Sequence, residues 1–258
     1  MSGTHVEVDA VHGGRWTSLR GSDGKQWLWR RDAPGRDTVG PGDPFVDVGG
    51  IEECYPTISG TPDHGHVWSR PWLPDGDALR VRGDDFDLTR RIEVDGDEIV
   101  AGYRLLAPPG QRFIWAAHAL LELSTAARVV LAPGTPMIVD LPDDTSVPTA
   151  WPALGDTDVS RFGPVDGTVM GVRLPGLTEA AVEDGDSRLT FTVEVEGQPT
   201  GFMLWRNLGG WPEPSPYRST GVEPMIGQRA TLANAGPDEA ATVPPSGEVT
   251  WTLRIRTT

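Results

Sequence analysis

An all-β fold of antiparallel strands, a sandwich or a barrel, is predicted by three features of these 258 residues. Glycine (32) and proline (24) punctuate the whole chain, which cuts it into short pieces and leaves little room for long helices. Between the breaks, apolar and polar residues alternate with period two. At one point the dipeptide Asp95-Gly96 stands between two such runs, the signature of a tight hairpin.

Taken in order, residues 88–94 and 98–105 form the arms of that hairpin. The run 116–121, Ala-Ala-His-Ala-Leu-Leu, is too short for periodicity to separate a helical turn from a strand. Strands are expected at 129–132 and 137–141, followed by a polar loop rich in Asp, Pro and Thr over 142–163. Residues 168–174 and 202–205 again read as strands. Leu189, Phe191, Val193 and Val195 alternate with Thr190, Thr192, Glu194 and Glu196. Near the end Val249, Trp251, Leu253 and Ile255 alternate with Thr250, Thr252, Arg254 and Arg256, so each run is a half-buried strand. Short strands at this spacing suit a sandwich or barrel. The segments on both sides of the 142–163 loop are alike, and the expectation is a single domain over 1–258 that buries a core without staples.

The formal net charge of −15 disfavours nucleic acid and acidic membranes as partners, because phosphate binding needs clustered cations. Lys25 is the one lysine, and the arginines are scattered among aspartates. The cysteine Cys54 stands alone, which excludes an internal disulfide and fits a reducing compartment. No apolar run is long enough to span a bilayer, and the first residues lack the basic and apolar regions of a signal peptide. A cytoplasmic location is expected.

The segment 63–72, Asp-His-Gly-His-Val-Trp-Ser-Arg-Pro-Trp, concentrates chemistry. Imidazoles move protons near neutral pH, a guanidinium is a rigid fork of donors, and indoles give flat apolar faces. A polar ring such as a sugar needs that mixture. Asp63, His66, Arg70, Trp68 and Trp72 are therefore candidates to contact it, together with Trp211, which lies among polar residues and turns. Glu52 and Glu53 after Gly49-Gly50-Ile51 are further cleft candidates. His64 and His66 are two apart, so on an extended strand they share a face and can ligate one metal. No third ligand follows, however, and Gly65 can bend the chain between them. His118 sits in an apolar stretch, either as a satisfied core histidine or as a neutral imidazole in a cleft. Glu223 precedes Pro224, which biases it toward extended geometry at a strand end, either as a solvated surface charge or facing a cleft. Cys54 reads as a small buried residue, and His5 and His12 as structural or solvated.

In their order along the chain these landmarks resemble the galactose mutarotase-like superfamily, the aldose 1-epimerases and their relatives. The likeness runs through Gly14-Arg15-Trp16-Thr17-Ser18-Leu19 and Gln26-Trp27-Leu28-Trp29, similar to opening strands. It continues through 49–57, Asp63-His64-Gly65, His118 and Gly221-Val222-Glu223-Pro224, and ends in 245–251. The resemblance implies a large antiparallel β-supersandwich with a sugar in an open cleft on one sheet. It also implies Glu223 as base, His118 as acid and His64 as a second histidine near the ring oxygen, with Asp63 and Arg70 touching the sugar. Interconversion of anomers by such a set needs neither metal nor organic cofactor. The chain departs from the hexose-phosphate branch, where an arginine stands at the position of Trp68. A sugar-binding protein without catalysis is the alternative on the same fold. A cupin-like metal enzyme using His64 and His66, or a polysaccharide-processing enzyme, is a further one. The partner expected in the first reading is a small sugar, and oligomeric state is not legible.

Overall fold

The computed structural model describes residues 3–141 and 145–258. Two antiparallel sheets carry the architecture. The nine-stranded sheet runs, edge to edge, His5–Asp9, Arg15–Arg20, Gly50–Cys54, Trp115–Leu121, Arg218–Ile226, Thr200–Leu208, Val169–Pro175, Pro136–Asp140 and Ser146–Ala150. The eight-stranded sheet runs Arg128–Val130, Glu179–Asp184, Ser187–Val195, Glu248–Thr257, Glu98–Leu106, Asp87–Asp95, Ala78–Arg82 and Leu73–Asp75. One apolar cluster, drawing on residues from Trp16 to Ile255, fills the space between them. The two-sheet antiparallel arrangement expected from the sequence is therefore present.

The predicted hairpin pairs Asp95 with Glu98 across Gly96 and extends to Asp87 and Leu106. The ambiguous run 116–121 is a strand, Trp115–Leu121, buried at every position. That explains its missing alternation: one face meets the core, and the other is covered by loops. The loop expected over 142–163 requires correction. Ser146–Ala150 pairs with Pro136–Asp140 as an edge strand, where Pro148 costs no ladder bond, and Ala153–Leu154 pairs with Thr157–Asp158. Residues 142–144 of that expected loop lie outside the described ones. Around 26–30 the chain makes isolated bridges rather than a strand. Among the described residues, no helix is long and apolar enough to cross a membrane.

Candidate active site

The outer face of the nine-stranded sheet, turned away from the shared core, carries a row of candidate site side chains. In antiparallel pairs, residues directly opposite one another project to the same face. Glu52 lies opposite His118, and Met203 opposite both Glu223 and Arg173. Gly221 faces Leu120 and Met225 faces Ala116, which sets Glu223 level with His118. The row thus reads Glu52, His118, Glu223, Met203, Arg173 across neighbouring strands. The next row reads Gly221, Trp205, Gly171, Asp140.

His118 is 8% exposed and Glu223 1% exposed, and His118 Nε2 lies 3.6 Å from Glu223 Oε1. Burial pushes the His118 imidazole down from its ordinary value; the Glu223 charge opposes this, and His64 adds to it. Burial likewise pushes the Glu223 carboxyl up, with His118 a partial counterweight. Both shifts come from desolvation disfavouring the charged form.

His64 joins them from the 55–72 loop. Its ring meets His118 edge-on, centroids 5.0 Å apart, and stacks on Phe45 at 3.6 Å. Asp63 Oδ1 lies 2.8 Å from His64 Nδ1 and fixes the ring. Partial burial raises the Asp63 carboxyl, but the bonds from His64 and from the Phe45 backbone N–H outweigh it, and the net shift is downward. His64 has φ 56 and Gly65 φ 78. A Cβ at Gly65 would sit 2.0 Å from the Tyr55 carbonyl oxygen, so only glycine permits this reversal beside the Gly50–Cys54 strand.

The same reversal separates the two histidines. His66 stacks near Phe86, centroids 6.3 Å apart, not beside His64, so the shared metal-binding face is not formed. Burial and the nearby Arg70 push the His66 imidazole down. Arg70 is half-buried, and its charge acts on His66.

Trp68 and Trp72 are also corrected: each is 1% exposed. Trp68 donates from Nε1 to the Asp63 carbonyl at 3.0 Å and lies edge-on to Phe45, so it backs the site wall. Trp72 belongs to the intersheet core, where its ring lies 4.8 Å from the Arg90 guanidinium. Glu53 points into that core. It accepts from Arg90 Nη1 at 2.6 Å, Tyr103 OH at 2.9 Å and Trp115 Nε1 at 2.8 Å. Strand alternation gives the cleft side to its neighbour Glu52. Trp211 stays at the rim, 47% exposed and edge-on to Trp205.

Several participants carried no signal in the sequence. Buried Arg36 donates to Glu52 Oε2 at 3.0 Å and to the Trp68 and His12 carbonyls, and so ties the 32–48 loop to the sheet. Burial pushes Glu52 up to about 7 despite Arg36 and Arg15. Phe45 and Asp47 come from the same loop, and Asp47 accepts from Tyr217 OH at 2.6 Å. That loop lacks periodicity. Cys54 is buried beside Ala116 and Met225, as expected of a small apolar residue. Among the described residues, no group of three or more His, Cys, Asp or Glu side chains is placed to hold a metal ion.

No protein-family model matches the chain, and no curated protein does. Solved structures do. Slr1438 from Synechocystis sp. PCC 6803 aligns with a TM-score of 0.74 at 17% identity, over 100% of this chain and 92% of that one. A galactose mutarotase-like protein from Lactobacillus casei ATCC 334 aligns at 0.62 and 13% identity, over 100% and 98%. A galactose mutarotase related enzyme from Lactobacillus acidophilus gives 0.63 at 9% identity, over 99% and 97%. At these identities the likeness is one of architecture, and the fold of this chain is the galactose mutarotase-like β-sandwich.

Proposed function

We propose that the protein is an aldose 1-epimerase-like isomerase that interconverts the anomers of a sugar by acid–base ring opening. The observation that carries this reading is the His118–Glu223 pair, level on neighbouring strands and 3.6 Å apart on the outer face of the nine-stranded sheet. The anomeric hydroxyl and the ring oxygen hang on one carbon, so a base and an acid on neighbouring strands can reach both.

Glu223 takes the proton of the anomeric hydroxyl while His118 protonates the ring oxygen. The bond from C1 to the ring oxygen breaks, the aldehyde rotates, and closure on its other face returns both protons. Burial makes Glu223 a stronger base and the His118 imidazolium a stronger acid, which favours each transfer. His64, held by Asp63, faces the same reacting oxygens, and Phe45 keeps water from them.

Sugar binding without turnover is the second reading, since the same cleft serves both. Glu223→Gln separates them. Its mutarotation rate, followed by polarimetry on freshly dissolved α-glucose and α-galactose, should fall by roughly 10²–10⁴-fold with sugar binding retained. A Glu223→Gln variant as fast as the parent, or a parent inert toward every aldose tried, would overturn the catalytic reading.

A further inference from the structure

We propose that the cleft beside Glu223 is a subsite for a second sugar unit, so that the favoured substrate is a neutral reducing oligosaccharide, a disaccharide at minimum. The placement of its reducing ring at His118 and Glu223 rests on the anomer-interconversion reading above. From Glu223 the outer face continues over three more strands into a cleft of about 690 Å³ with Met203, Trp205, Gly171, Arg173 and Asp140 along its floor. Such a volume suits a ligand of drug size, more than one pyranose. At the usual spacing between strands, Arg173 stands about 10 Å and Asp140 about 14 Å from the Glu223 strand, the reach of a second ring. Gly221 and Gly171 flank Trp205 in one row, so neither strand position beside the indole carries a side chain of its own.

The charges favour a neutral ligand over a phosphorylated one. Arg173 donates from Nε to Asp140 Oδ2 at 2.6 Å and from Nη2 to Oδ1 at 2.9 Å. Arg229 is matched by Glu239 at 2.9 Å. Each guanidinium at the cleft already has its carboxylate, which leaves no surplus cation for a phosphate. Arg173 is 4% exposed, and its remaining Nη1 is buried with no hydrogen-bonding partner, a rigid donor suited to a hydroxyl. In the lining of the same cleft, exposed Trp211 presents a flat apolar face of the kind that covers the C–H side of a pyranose.

The test compares mutarotation of glucose, maltose, cellobiose, lactose and glucose 6-phosphate by polarimetry, in the parent and in Trp211→Ala. At least one disaccharide should exceed glucose by roughly tenfold in kcat/KM, and that ratio should shrink several-fold in Trp211→Ala, through KM. Equal kcat/KM for glucose and every disaccharide overturns the subsite and leaves anomer interconversion standing. A preference for glucose 6-phosphate overturns it too. If no sugar is turned over, the underlying reading falls, and calorimetric titration decides the subsite by itself. Disaccharide binding tighter than glucose and weakened in Trp211→Ala upholds it; binding no tighter than glucose overturns it.

Discussion

His118 is an ionisable side chain held where burial penalises its charged form, and the Phe45 ring is packed against it. The Phe45 ring stacks on His64 and stands edge-on to His118 at 5.8 Å, which excludes water from both imidazoles. Desolvation is the largest cause of the depressed His118 value, so opening that side should let it rise. The sign follows from linkage. Below the ordinary imidazole value near 6.5, an unfolded chain takes up a proton that folded His118 resists, and stability therefore falls as pH drops through that region. In Phe45→Ala, His118 should titrate closer to 6.5 in a proton NMR series, and the acid-side loss of stability should be smaller. An unmoved titration curve would show that Phe45 does not set the local dielectric.

At the scale of elements, the sheet presents the site and Gly221 makes room for it. Gly221 adjoins Glu223 on the outer face, where a Cβ would meet the Ala119 carbonyl oxygen at 3.0 Å, Leu120 Cδ2 at 3.1 Å and Glu223 Oε1 at 3.2 Å. Leu120 can shift, but the backbone oxygen cannot easily, so a methyl group there displaces the carboxylate. Gly221→Ala should keep the fold, lose about 1 kcal/mol in denaturant unfolding, and lower kcat at least tenfold. Unchanged kcat would show that the Glu223 carboxylate tolerates the shift. This scale also shows what a sequence can disclose. Strands with one wet face, such as Ser187–Val195 and Glu248–Thr257, announce themselves by alternation. Trp115–Leu121 is buried on both faces and carries no such mark, although it holds His118. Alternation also tells that Glu52 and Glu53 oppose each other, yet not which of them faces the cleft. Arg36, Phe45 and Asp47 lie on a loop whose path is fixed by long-range contacts to Glu52, His64 and Tyr217, and no local pattern encodes those.

For the molecule as a whole, the two sheets are joined at the centre by charge as well as by apolar packing. Glu53, on the inner face of the nine-stranded sheet, receives hydrogen bonds from Arg90 and Tyr103 of the eight-stranded sheet. Arg90 also donates to the Gly14 carbonyl at 2.6 Å, and both charged side chains are fully buried. A buried ion pair contributes less net stability than its contacts suggest, because each ion has lost its hydration. Removing one partner is a different matter, since it strands the other charge in a low-dielectric interior. Glu53→Ala should therefore lose about 3–5 kcal/mol in denaturant unfolding, and Arg90→Met a comparable amount. The double variant leaves Tyr103 and Trp115 without an acceptor but strands no ion, so its loss should fall well short of the sum of the two. Strict additivity would show that the pair is uncoupled and that apolar packing alone joins the sheets. Because Glu53 and Glu52 are neighbours on one strand, the same anchor fixes the height of Glu52 opposite His118. Glu53→Ala should consequently lower kcat even at temperatures where the variant remains folded, which polarimetry well below its unfolding midpoint would register.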